Sequence, residues 1–233
     1  MKIVFPDRID FDAATRARVK DLGIVTYNDT PNDITTIIER IRDAEIITVN
    51  FIDLPKEAID AAPKLKFIIS SAAGYNNIDY KYAASKDIKV LNCPTYNSEA
   101  VVEHAIALML AVSRRVVEAS EDLRAGAWHG QDIVGSEISH KKLGLVGYGR
   151  VGKLIEQRVK SFDMKVRHCS SSSSAEELDN LLQTSDIVCL CLALNDSTQG
   201  IIDKRRLDLL QSHAILINVA RGGLVDQKLC YHC

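Results

Sequence analysis

KLGLVGYGRVGKLIEQRV, residues 142–159, is the stretch whose reading decides the fold. It opens with an apolar run of strand length and closes on the apolar spacing of an amphipathic helix. Between the two, Gly147, Gly149 and Gly152 stand in G-x-G-x-x-G spacing. The spacing alone is weak, and its bland alternative is a glycine turn that binds nothing. Here it follows a strand, opens a helix and sits in a βαβ unit of about thirty residues, the context a dinucleotide-binding turn requires. Gly147 would permit the tight turn, Gly149 would let backbone approach a pyrophosphate, and Gly152 would allow close helix–strand packing. The helix N-terminus adds unpaired N–H groups and partial positive charge for the phosphates.

An acid at the end of the next strand, MKVRHC (164–169), would hold the ribose hydroxyls of NAD. The residue there is Ser170, first of five consecutive serines. Without a carboxylate a 2′-phosphate is not repelled, and hydroxyls can donate to it, so the loop admits NADP at least as readily as NAD, with loss of affinity for both as the third reading. Arg167 is near in sequence, but strand alternation points it away.

Strands and helices alternate outward from this unit in both directions. Strands are expected at 2–5, 24–27, 45–50, 66–70 and 88–92, with helices over 35–43 and 55–65 between them. Further strands fall at 142–149, 164–169, 186–194 and 214–220, with helices over 151–162, 176–183 and 204–210. Near-continuous apolar strands separated by helices predict parallel sheets covered on both faces. The fold class is therefore α/β, with two doubly wound domains spanning 1–97 and 98–233. One long helix is expected over 98–126, with Ser98 as N-cap and Gly126 as its end. Its nearly all-round apolarity suits a buried helix, joining domains or subunits or lying within a core.

With 46% hydrophobic and 26% charged residues in 233, the chain can bury a sizeable core. A net charge of −2 carries no footprint for nucleic acid or an anionic membrane. The start, MKIVFPDRID, lacks the apolar core of a signal peptide, and the longest apolar runs fall short of a membrane span. A cytoplasmic, soluble protein is expected. The six cysteines suggest no disulfide framework in such a chain. Cys189 and Cys191, two apart in a strand, would share one face as small hydrophobes. Cys230, His232 and Cys233 match no standard zinc spacing, and no metal is expected.

Taken together, ISSAAGYNNID (69–79), NSEAVVEHAIALMLAVSRR, GAWHGQDIVGSEISHKKLGLVGYGRVG with Trp128, SDIVCLCLALNDSTQGIID and AILINVARGGLVD resemble the D-isomer-specific 2-hydroxyacid dehydrogenases in order and content. The resemblance implies a flavodoxin-like substrate domain followed by a Rossmann domain. It implies hydride transfer between NAD or NADP and C2 of a small 2-hydroxy or 2-keto acid. It also implies a homodimer through the 98–126 region. Carried over by position, Arg221 binds the substrate's carboxylate and carbonyl oxygens, for which a permanently charged fork is suited. Ala73 and Gly74 belong to the loop that grips the carboxylate. Arg150 and Val151 belong to the phosphate turn, and Leu192, Val219 and Ala220 lie beside the cofactor. The chain departs from the family in having Cys191 and Ala193 where His and Pro are frequent. The loops around AAGYNNID look closest to the glyoxylate and hydroxypyruvate branch.

In that family a histidine exchanges the proton and a glutamate orients it, both downstream of the arginine motif. The histidines here are His104, His129, His140, His168, His213 and His232, and none holds the matching position. A nucleotide domain wound in 3-2-1-4-5-6 order would need two more βα units beyond AILINV, leaving that strand as an edge. The expectation is a C-terminally truncated member lacking its acid–base pair. The alternatives are a non-catalytic nucleotide- or partner-binding module, and an enzyme whose histidine comes from a second chain.

Overall fold

Two wholly parallel sheets, one of five strands and one of four, organise the computed structural model, which describes residues 1–27 and 33–226. Each sheet belongs to its own compact unit, Met1–Tyr96 or Asn97–Cys233.

The first unit contains β1 (Lys2–Phe5), α1 (Ala13–Lys20), β2 (Ile24–Tyr27), α2 (Ile34–Ile41), β3 (Ile46–Val49), α3 (Lys56–Asp60), β4 (Phe67–Ser70), α4 (Tyr80–Ser85) and β5 (Lys89–Leu91). Its strand order, β2-β1-β3-β4-β5, is the flavodoxin-like winding. Burial follows composition: β1 and β3, apolar throughout or nearly so, are central, whereas IVTY and KVL alternate with solvent and take the edges. Val4, Ile47, Val49 and Ile68 pack against Ile37 and Ile41 of α2, Ile59 of α3 and Ala83 of α4. Two helices, α1 and α4, carry little apolar period and escape a pattern reading. No residue of α1 is buried, so its start is set by capping: Asp12 accepts the Thr15 N–H at 2.7 Å. Asp79 does the same for α4, accepting from Tyr82 at 3.0 Å.

A buried carboxylate ties the strand ends of this unit together. Asp7, only 3% exposed, follows β1. Its Oδ2 accepts the N–H groups of Asn50, Phe51 and Ile52 at 3.0, 2.7 and 3.2 Å, just beyond β3. Three N–H donors thus converge on one carboxylate oxygen, and hydrogen bonds to a charged acceptor are among the stronger kind.

The second unit contains α5 (Ser98–Ser113), α6 (Val116–Arg124), β6 (Lys142–Val146), α7 (Arg150–Val159), β7 (Lys165–Cys169), α8 (Ala175–Thr184), β8 (Ile187–Leu190), α9 (Lys204–Leu207) and β9 (Ile215–Asn218). Leu143, Leu145, Ile187, Cys189 and Ile217 pack against Val102, Ala105 and Met109 of α5 and Ile155 and Val159 of α7. On the other face, Val146, Val188 and Leu190 meet Leu178, Leu181 and Leu182 of α8.

The second unit departs from the sequence reading in its strand order, in its long helix and in that helix's cap. The strand order is β7-β6-β8-β9, so the third strand lies beside the first, not outside the second as in 3-2-1-4-5-6 winding. The reason is burial: IVCL of β8 is wholly buried and needs two neighbours, while KVRHC of β7 is largely exposed and makes an edge. The helix expected over 98–126 is two helices. Arg115 adopts a left-handed φ of 51°, and the freed Ser113 carbonyl accepts the Ser136 N–H at 2.7 Å. Nor does Ser98 cap it: Asn97 is the N-cap residue, and Ser98 is buried in the first turn. Asn97 makes no side-chain cap bond.

Beyond β9, Gly222–Leu224 makes a single 3₁₀ turn, and Ile202 donates to Leu224 at 3.0 Å before Asp226 donates back to Ile202 at 3.1 Å. Cys230, His232 and Cys233 lie outside the described residues. Among the described residues no helix is long and apolar enough to cross a membrane.

Candidate functional site

The carboxyl ends of β6 and β8, where the winding of the second sheet reverses direction, are where doubly wound folds bind ligands. Gly147 leaves β6 with φ +102°, a conformation that L side chains rarely adopt. A Cβ there would lie 2.8 Å from the Cys191 and Leu192 backbone. Gly152, in the first turn of α7, sits so near the turn that a Cβ would fall 2.5 Å from the Gly147 carbonyl oxygen. Gly149 is different: a Cβ there would meet nothing within 4 Å. It is the N-cap residue of α7 and makes no side-chain cap bond, leaving the helix start open to an anion. Arg150, exposed, and Val151, half-buried, follow in the first turn.

Tyr148, between the glycines, is held from outside. Its ring stacks on His168 of β7 with centroids 3.5 Å apart, and its hydroxyl donates to the Glu156 carboxylate. That bond pushes the phenol pKa up. The pair was illegible in sequence because it needs the β6–β7 register, which sets Leu145 beside His168.

A cavity of about 450 Å³ adjoins the turn, walled by Gly147, Ser170, Ser173, Leu192, Thr198 and Arg206. Among the described residues lining it none is a carboxylate, and Arg206 is the one charged side chain. The serines hold one another: Ser170 Oγ lies 2.8 Å from Ser172 Oγ, and the Ser170 N–H donates to Ser173 Oγ at 3.2 Å. Ser174 closes the loop as N-cap of α8, in a capping box with Glu177. Arg206 is oriented by Asp179 at 3.0 Å and by the Ile201 carbonyl at 2.9 Å. Arg205 reaches the same carboxylate, and together the guanidinium groups hold the Asp179 pKa down at about 2. Arg167 turns away from the cavity to donate to Thr184 at 3.1 Å.

The arginine turn begins at the carboxyl end of β9. The Val219 N–H donates to Leu190 at 3.2 Å, Ala220 to Asn218 Oδ1 at 2.9 Å, and Asn218 Nδ2 to the Arg221 carbonyl at 2.8 Å. Arg221 itself is exposed, its guanidinium donating to the Ala220 carbonyl at 2.9 Å. Gly147, Leu192, Val219, Ala220 and Arg221 thus all follow carboxyl ends of one parallel sheet.

In the first unit, Ala73 and Gly74 lie in the loop after β4. Asn92 Nδ2 donates to the Ala73 carbonyl at 2.7 Å, and the buried Ser70 hydroxyl to the Gly74 carbonyl at 2.9 Å. Both carbonyls are therefore turned into the unit.

Residues 106–232 match the family model described as D-isomer specific 2-hydroxyacid dehydrogenase, NAD binding domain. The chain belongs to the D-isomer-specific 2-hydroxyacid dehydrogenase family. Among curated dehydrogenase relatives, a glyoxylate reductase of Thermococcus kodakarensis is 34% identical over 210 residues, covering 82% of this chain and 63% of that protein. A D-3-phosphoglycerate dehydrogenase of Mycobacterium leprae is 35% identical over 225 residues, covering 92% of this chain and 42% of that protein. A solved acyclic imino acid reductase in complex with NADPH and D-Arg superposes with a TM-score of 0.90 at 31% identity, covering 99% of this chain and 78% of that one. The chain thus spans less than two thirds of the length of these curated family members.

Proposed function

We propose that this chain carries the cofactor and substrate-carboxylate sites of an NAD(P)-dependent oxidoreductase acting between a small 2-hydroxy acid and its 2-keto acid. The observation that carries the reading is the uncapped start of α7 at Gly149, open above a turn that Gly147 and Gly152 keep compact. Such a start takes a pyrophosphate. A bound nicotinamide supplies or accepts the hydride at C2. Arg150 and Val151 border the phosphates, and Leu192, Val219 and Ala220 flank the cofactor from the neighbouring strand ends. Arg221 pairs its fork with the substrate's carboxylate and carbonyl oxygens. With the Ala73 and Gly74 carbonyls occupied internally, that loop offers a carboxylate its amides.

NADP is favoured over NAD. Among the described residues, the cavity beside the turn presents no carboxylate to accept ribose hydroxyls or repel a phosphate, and it presents Ser170, Ser173 and Arg206. Glyoxylate or hydroxypyruvate is the favoured keto acid, as the loop around AAGYNNID and the resemblance to glyoxylate reductases suggest. Val112, Val116, Val117, Leu123 and Trp128 are more than half exposed, an apolar stripe on α5, α6 and the loop after them that suits a second copy of the chain. A cytoplasmic location follows the same reading.

Titration of the purified chain with NADPH and NADH, followed by NADPH oxidation with glyoxylate or hydroxypyruvate, tests this proposal. Saturable NADPH binding with turnover supports it in full. Binding without turnover leaves a nucleotide-binding module, and binding of neither nucleotide overturns it.

A further inference from the structure

The thiol of Cys191 donates to the Gly147 carbonyl oxygen at 2.9 Å, across the gap between the ends of β8 and β6. Gly152 of α7 also lies against that oxygen: an added Cβ would be 2.5 Å from it and 3.4 Å from Cys191 Sγ. Two ladder bonds hold the surroundings: the Cys191 N–H donates to Val146 and the Gly147 N–H to Cys169, both at 2.9 Å. These bonds fix the strands but not the peptide that follows Gly147, because a glycine at φ +102° has ψ freedom that other residues lack. Tyr148 is held through its ring and hydroxyl, and the thiol restrains the carbonyl end of the same peptide directly. In a trans peptide, a Gly147 carbonyl drawn inward to Cys191 aims the Tyr148 N–H the opposite way, out of the turn.

We infer that Cys191 is a positioning residue for the cofactor: its S–H···O bond presets the Gly147–Tyr148 peptide so that the turn meets the pyrophosphate without rearranging. The inference rests on the dinucleotide reading above and adds a residue to it. Burial pushes the Cys191 thiol up to about 12, so it keeps its proton, and its role as donor, throughout the neutral range. The same burial makes it a poor nucleophile, which argues for hydrogen bonding and against thiol chemistry as its task.

The test compares C191V, which keeps volume and loses the donor, with C191S, which keeps a donor, by NADPH titration and thermal melting of the whole chain. The expected result is a Kd for NADPH raised about three- to tenfold in C191V, the range of one lost hydrogen bond, and within about twofold of the parent in C191S. A packing role would give the reverse order, since the buried hydroxyl is less at home than valine. If C191V melts far below the parent, C191A takes its place against C191S. Equal affinity in all variants, or equal loss in C191V and C191S, overturns the inference while leaving the cofactor reading intact. Failure of the parent chain to bind either nucleotide overturns both.

Discussion

Gly152 stands against Gly147 so closely that a methyl group on the helix would lie 2.5 Å from the carbonyl oxygen of the turn. The nearest atom is backbone and cannot rotate away. G152A should therefore destabilise the second unit by about 1–3 kcal/mol, as overpacking does, and weaken nucleotide binding with it. G149A should behave otherwise. Its backbone, with φ −81°, accepts alanine, and the Cβ enters open space. Stability should change by less than about 1 kcal/mol, while NADPH affinity falls more than about tenfold because the methyl occupies the pyrophosphate's approach. Urea denaturation paired with nucleotide titration separates the two effects.

Asp7 offers a test in the first unit, remote from any cofactor chemistry in sequence. D7A leaves three N–H donors facing a void and should cost about 3 kcal/mol, whereas D7N keeps an acceptor and should cost about 1. Chemical denaturation monitored by circular dichroism reads both. Equal losses would show that the carboxylate charge itself holds residues 50–52.

The Arg205–Asp179–Arg206 cluster links α9 to α8 and has a definite pH signature. Asp179 has its pKa lowered from 3.8 to about 2 in the folded protein, first by the Arg205 hydrogen bond. A depressed folded value means that the stabilisation is fully present above pH 4 or so and is lost as pH falls through about 2. D179N should thus lose about 1–2 kcal/mol at pH 7, and the difference from the parent should shrink to a small remainder as pH approaches about 2. Melting curves from pH 2 to 7 check it.

A carboxylate at the head of the serine loop should reverse nucleotide preference. S170D places a charge where a 2′-phosphate would sit and an acceptor where ribose hydroxyls would sit. The NADPH-to-NADH affinity ratio should fall at least about tenfold. An unchanged ratio would move the discriminating site away from the cavity beside Gly147.

Arg221 should be silent in the fold, since its guanidinium is exposed and bonded to the adjacent Ala220 carbonyl. R221A should melt within a degree or two of the parent and bind NADPH normally, yet lose keto-acid-dependent turnover or keto-acid binding to the NADPH complex by about a hundredfold or more. R221K should recover little, because a point charge does not replace a fork.

The sequence by itself determined the class of each element whose side chains carry a period. GLVGYGRVGKLIEQRV read as strand, turn and helix because its glycines and apolar spacing are local signals, and the family motifs lie in order along the chain. IVCL, apolar at every position, was legible as a strand for the same reason, but its place in the sheet was not. What only the tertiary structure decided were relations between residues far apart in sequence. The placing of β8 beside β6, the stacking of Tyr148 on His168, and the convergence of Asn50, Phe51 and Ile52 on Asp7 all depend on register between strands. The break at Arg115 depends on Ser136 capturing the Ser113 carbonyl, a competitor that helical periodicity cannot register. Cys191 shows both halves: its sequence position marks a small residue on a buried strand face, but only the approach of β6 gives its thiol the Gly147 carbonyl to hold.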